Sequence, residues 1–163
     1  MIRVERMPPF GCADVVVQPY DPGSDAAAVH RLMGRCAADP HGSAGPAVGT
    51  IAGELASRPG RQVWAWLARP GADPDPAAVV GLVSLVGVEA AGGVRCSIGW
   101  LFVDPAFRRR GVGRALVATA ARQAGNLGAA EIHAETLGSW PAAARFWEAV
   151  RLATGGEVAE RQP

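Results

Sequence analysis

The chain has no lysine, a single tyrosine and only three cysteines, and each shortage removes a class of explanation. Cys12, Cys36 and Cys96 are scattered, odd in number and without a CxxC pair. That argues against a disulfide framework or a structural zinc site and for small buried residues in a reducing compartment. No metal site is expected. Charge of one sign is also lacking: 16 basic residues face 15 acidic ones, for a formal charge of +1. A field that would gather nucleic acid or an anionic membrane is therefore missing, and any anion must be held by a local cluster. Long hydrophobic runs are missing too. The most apolar stretch, residues 77–88, is broken by Gly81, Ser84 and Gly87, and it falls well short of the roughly 20 residues a membrane span needs. The first nine residues lack the apolar core of a signal peptide. A soluble, cytoplasmic protein without a membrane partner is the expectation.

What is present suffices for one core. With 163 residues, 49% of them hydrophobic, the chain fits a single domain over 1–163. Residues 1–12 read as a loose lead-in and 154–163 as a short polar tail. A β-branched run at 14–19 predicts a strand ended by the turn at 20–23. Ser24 then stands as helix N-cap, and Ala28, Val29, Leu32, Met33 and Cys36 recur at helical spacing until Asp39-Pro40 stops the pattern. Residues 41–49 form a loop, and Thr50 caps a short helix to Ser57. Strands follow at 62–69, 78–89 and 94–103, with Gly99 marking a bulge or a close backbone approach. A helix over 111–124, ended by Gly125 and Asn126, a strand at 130–136 and a helix from Pro141 to Arg151 complete the order. Early strands are thus antiparallel neighbours, and the closing β–α–β unit makes its strand pair parallel. The fold class is α/β (α+β): a mixed, mostly antiparallel sheet with one parallel pair, flanked by helices.

The chemistry concentrates in residues 100–116. A strand ends at Val103, Asp104-Pro105 turns the chain, and Arg108-Arg109-Arg110 leads into a helix whose first turn holds Gly111 and Gly113. First-turn amides have no partner inside the helix, and the helix dipole adds positive charge there. Two glycines remove the Cβ atoms that would keep a phosphate from those amides, and three guanidinium groups add charge-assisted donors. A diphosphate suits this arrangement. The segment is not a P-loop, because it lacks the GK[ST] ending, nor a dinucleotide fingerprint, because Leu116 stands where the third glycine belongs.

Here the sequence resembles a family. Arg108-x-x-Gly111-x-Gly113, preceded by Leu101-Phe102-Val103-Asp104-Pro105 and followed by an Ala/Leu-rich helix, is similar to the acyl-CoA signature of the GNAT N-acetyltransferases, [RQ]-x-x-G-x-[GA]. The likeness covers roughly 78–152. It implies that Arg108, Arg109, Arg110, Gly111, Val112, Gly113 and Arg114 hold the CoA diphosphate. Arg109 and Arg110 reach the 3′-phosphate or simply face water. Leu101, Phe102 and Val103 would bind the pantetheine arm as a further strand, in a slot where that strand splays from the next. Trp140, Ala143 and Phe146 would line it. The cosubstrate implied is acetyl-CoA or another short acyl-CoA, and the reaction is acyl transfer to the amine of a small molecule. A non-catalytic, regulatory CoA-binding module is the alternative. Nucleic-acid binding through Arg108 to Arg114 fits poorly with a net charge near zero.

Three positions depart from the family pattern. The last helix has Trp140 and Trp147 where many relatives have Asn and the acidic Tyr, and an indole N–H donates a hydrogen bond without giving up its proton. Ser97 stands where histone-type members have a basic Glu. The short tail leaves no length for the usual final pair of strands, so that wall is reduced or supplied by a second subunit, a homodimer. Replacement groups come from one strand face: Glu131, His133 and Glu135 share it by period two, with His133 and Glu135 as catalytic candidates. The other reading packs that face against a helix edge or solvent. Glu89 and Glu54 are weaker candidates, and Trp64 and Trp66 either wall a substrate or pack in the core.

Overall fold

The computed structural model describes residues 2–3, 15–39, 51–71, 75, 78–134 and 141–154. Its strands are β1 (Ile2–Arg3), β2 (Val15–Pro19), β3 (Arg61–Pro70), β4 (Gly81–Ala90), β5 (Gly93–Val103) and β6 (Glu131–Ala134). Its helices are α1 (Pro22–Ala37), α2 (Ile51–Glu54), α3 (Val112–Asn126) and α4 (Pro141–Thr154), with a 3-10 turn at Pro105–Phe107. One sheet runs in the order β1-β6-β5-β4-β3-β2. Every neighbouring pair is antiparallel except β5 and β6, joined through α3. The mixed sheet read from the sequence is therefore the observed one. The lead-in differs: Ile2 and Arg3 pair with Ile132 and Glu131 on the outer edge of β6, a strand too short to show any period.

Local chemistry sets the element ends. α1 begins before Ser24, because Asp21 is the N-cap: its carboxylate accepts the Gly23 N–H at 3.0 Å and the Ser24 hydroxyl at 2.8 Å. Those bonds hold the Asp21 carboxyl below its ordinary range, the Gly23 amide first. Pro22 then occupies the first helical position, where a missing N–H costs nothing, and Asp25 accepts the Asp21 N–H at 3.0 Å. α3 runs through Gly125 and Asn126 and closes two residues later, where Gly128 and Ala129 donate to the carbonyls of Gly125 and Ala124. Thr50 and the tail lie outside the described residues.

The sheet carries a core on each face. On one side Val83, Leu85, Cys96, Ile98 and Ile132 pack with Leu116, Val117 and Ala120 of α3 and Trp147 and Val150 of α4. Trp64 and Trp66 belong to this packing. On the other, Leu67, Val79 and Leu82 meet Val29, Leu32 and Met33 of α1, with Ile51 of α2. Among the described residues no helix is long and apolar enough to cross a membrane.

β5 changes faces midway. Val94, Cys96 and Ile98 point toward α3 and α4, but so do Leu101 and Val103, an odd set after an even one. Gly99 is the extra residue, since the register with β4 passes from Leu85↔Ile98 to Ser84↔Trp100. A Cβ on Gly99 would lie 2.8 Å from Ser84 Oγ. Ser84 is 1% exposed, and its hydroxyl accepts the Trp100 N–H at 2.9 Å where the ladder is interrupted. Ser84→Ala leaves that buried amide without a partner. We expect a loss of about 1–3 kcal/mol, read as a lower urea midpoint at unchanged slope.

Candidate functional site

The turn after β5 is built by Asp104 and closed by α1. The Asp104 N–H donates to Val80 O at 2.9 Å, and its carboxylate accepts the Ala106 N–H at 3.0 Å and Arg35 Nε at 2.6 Å. The chain then extends at Arg108 (φ −66°, ψ 157°), enters the left-handed region at Arg109 (φ 64°) and re-enters it at Gly111 (φ 86°). The second position suits glycine. The first does not, and a left-handed arginine costs about 1–2 kcal/mol. Strain of that kind persists where the surroundings enforce it, often at functional sites.

This path delivers the chain to α3 with no side-chain cap on Gly111, the N-cap residue. The first intrahelical bond of the loop exit is Ala115 N–H to Gly111 O, 3.0 Å. Residues 112–114 thus make the first turn, at the positive end of a 15-residue helix that has no side-chain cap from its N-cap residue. Val112, 2% exposed, anchors that turn in the core. Gly81 lets it sit close to β4: a Cβ there would come within 2.8 Å of Leu116 Cδ1 and 3.1 Å of Val112 Cγ1. Arg110 lies 5.3 Å over the Phe107 ring, and Arg109 and Arg114 are exposed.

Beside this turn the end of β5 and α4 face each other, and the line where they meet is the candidate cleft. Gly113 faces both walls: its absent Cβ would lie 3.1 Å from Phe146 and 3.6 Å from Val103 Cγ2. The close approach of α4 favours a residue without a side chain at this position. Phe146 packs edge-on to Trp147, with ring centres 5.0 Å apart, and Trp147 is 6% exposed. Leu101, Val103, Ala143 and Phe146 share this side of the sheet, whereas Phe102 stacks on Trp100 (5.7 Å) across the sheet, toward α1. The parallel ladder joins only Cys96–Ile98 to Ile132–Ala134. Among the described residues no strand flanks 99–103 on that edge.

Of the catalytic candidates, His133 is half-buried on the face away from α3 and α4, beside Ser97 in the ladder. Glu131 shares that face. Glu135 and Trp140 lie outside the described residues. From Val103 back to Ser97 the strand covers about 20 Å, a span suited to an extended pantetheine. The chain's one tyrosine, Tyr20, follows β2 at the far edge of the sheet and stands on neither side of the cleft. Burial, then Asp25 and Asp21, push its hydroxyl above the ordinary value.

No local pattern in the sequence marks the side chains that hold the loop. Arg108 donates from Nη1 to Asp39 and from Nε to Val103 O (3.2 Å), so the signature arginine is committed to the protein. Cys36 Sγ shares the same carbonyl at 3.6 Å. Burial raises the Cys36 and Cys96 thiols above their usual range. In a Cys12→Ser background neither is expected to react with a thiol reagent at pH 7.5 until the protein unfolds; one equivalent of rapid labelling would contradict their placement.

Comparison with known proteins decides what the cleft belongs to. The sequence model of the acetyltransferase (GNAT) family matches residues 27–151. The chain belongs to the GNAT family. No curated protein sequence matches it. A tandem GNAT protein from the clavulanic acid biosynthesis pathway superposes at TM-score 0.66 with 27% identity, over 87% of this chain and 43% of that one. A ribosomal-protein-alanine N-acetyltransferase from Brucella melitensis biovar Abortus 2308 gives 0.66 with 15% identity, over 91% and 95%. The NatC complex bound to Gag peptide and CoA gives 0.63 with 20% identity, over 83% and 82%. The chain thus spans less than half of the tandem GNAT relative and nearly all of the Brucella one.

Proposed function

We propose that this GNAT protein is an acyl-CoA-dependent N-acetyltransferase that acetylates the amine of a small molecule in the cytoplasm. The observation that carries the reading is the start of α3, which has no side-chain cap from Gly111, is entered through left-handed Arg109 and Gly111, and lies where Val103 and Phe146 approach each other. A CoA diphosphate would be held by the amides of residues 109–114, with Arg109, Arg110 and Arg114 supplying charge. The uncapped turn and the missing Cβ at Gly113 fit that group. Acetyl-CoA brings an activated thioester.

The neutral amine attacks the thioester carbonyl, a tetrahedral oxyanion forms, and the C–S bond breaks to release CoA thiolate. The amine's proton goes to a base, and we assign His133 to that role, with Glu135, two positions on in the sequence, as the second candidate. The ladder puts His133 beside Ser97, so an imidazole on the next strand stands near the place where relatives carry a Glu. No acid is assigned for the thiolate: Trp147 is buried and its indole keeps its proton. That same burial supports the second reading, a CoA-binding module without turnover.

The test is free-thiol release from acetyl-CoA across a panel of small amines and N-terminal peptides. Turnover with a small amine, falling about 100-fold or more in His133→Ala, supports the proposal. Turnover with peptides alone contradicts the substrate class. Binding without any turnover selects the regulatory module, and full activity in the His133→Ala, Glu135→Gln double variant removes both residues from the mechanism.

A further inference from the structure

The last turn of α1 and the residue just past its C-cap grip the loop after β5 at two points, and the two grips are complementary in charge. Arg35 donates to Asp104 (2.6 Å) and to Val79 O (2.8 Å), fixing the strand end, while Asp39 accepts from Arg108, the first residue after the 3-10 turn. A slip that exchanged the partners would set like charges together. The Asp39 side chain is only 9% exposed against 38% for Arg108, so the pair joins a carboxylate largely withdrawn from water to a guanidinium at the surface. The contact bridges residues 69 apart in sequence and does not involve the helix that the loop feeds.

Building on the acyl-CoA reading above, we propose that Asp39 is a positioning residue for the cofactor loop: by holding Arg108 it fixes the backbone path that gathers the first-turn amides of α3. Arg108 is tied at two points, Nη1 to Asp39 and Nε to Val103 O, and the residue that follows is the one non-glycine in the left-handed region among the described residues. An arginine adopts that conformation only where its neighbours leave no other route. Arg108, fixed on one side, and Val112, buried on the other, restrict the three residues between them. Asp39 therefore acts through Arg108 on the shape of the binding turn, and the Arg108 side chain stays off the cofactor.

Calorimetric affinities for CoA and for dephospho-CoA test this in the wild type, Asp39→Asn, Asp39→Glu, Arg108→Ala and the Asp39→Asn, Arg108→Ala double variant. Asp39→Asn is expected to weaken both ligands alike by about tenfold, with the double variant no worse than Arg108→Ala alone. Asp39→Glu should restore most of the loss, which a merely lost volume would not. In ligand-free protein the amides of Arg109 and Gly111 should exchange faster in Asp39→Asn, a readout independent of binding. Unchanged or tighter CoA binding in Asp39→Asn overturns the proposal, and so does a loss confined to the ligand bearing the 3′-phosphate, which would put Arg108 on that phosphate. If the wild type binds neither ligand, the acyl-CoA reading falls with it; if the wild type binds and Asp39→Asn matches it, only this inference falls.

Discussion

Arg109→Glu combined with Arg110→Glu is expected to lower acetyl-CoA affinity by about a hundredfold or more. Each charge-assisted hydrogen bond to a phosphate contributes about 1.5–3 kcal/mol, and 1.4 kcal/mol is a factor of ten in Kd. Both side chains are exposed, Arg110 lying over the Phe107 ring, so a melting temperature measured beside the affinity separates any loss of fold from loss of ligand contacts. Arg108 is deliberately absent from this pair. Its guanidinium is bound to Asp39, and reversing it would disturb α1 as well as the loop. The effect should shrink as salt is raised, because exposed charges are screened over about 10 Å at 0.1 M. Calorimetry at two ionic strengths checks both parts; unchanged affinity at low salt would show that these arginines face only water.

Gly113→Trp should abolish acetyl-CoA binding outright. Even a methyl group at this position meets the Phe146 ring at 3.1 Å, so an indole has no room between α4 and the end of β5. It must either displace Phe146 from Trp147 or swing out over the amides of the first turn, and both block the cleft. Overpacking of this kind commonly costs about 1–3 kcal/mol of stability as well. Gly113→Ala separates the two effects: the ring edge can shift by a few tenths of an ångström, so stability should suffer little and affinity fall only modestly. Retained binding in Gly113→Trp, with a melting transition showing a folded protein, would mean that the cofactor does not pass this point.

The parts of this arrangement that sequence reading captured are those in which a few neighbouring residues carry the physics. The strand end at Val103, the Asp104-Pro105 turn, the arginine run and the glycine-entered helix are all local, and all appear where the pattern put them. Gly99 was readable as a bulge because a glycine inside an apolar strand has few other reasons to be there, although its partner Ser84, on another strand, was not. Ser24 and Asp21 illustrate a finer failure. Both are good capping residues, and the proline between them decides in favour of Asp21. What remained hidden is non-local. Nothing near Asp39 or Arg108 in the chain announces that they meet, and the reason for Gly113 lies in Phe146, 33 positions later. The apposition of Ser97 and His133 likewise depends on strand register, which no single segment encodes.

Recording the backbone amide spectrum while CoA is added reaches the heart of the account, because it reports each N–H separately. The expected result is large, saturable shifts at Arg109 to Arg114, Val112 and Gly113 foremost, reproduced by dephospho-CoA and absent with pantetheine alone. Amides in that turn that stay unmoved while the ligand binds elsewhere would contradict it.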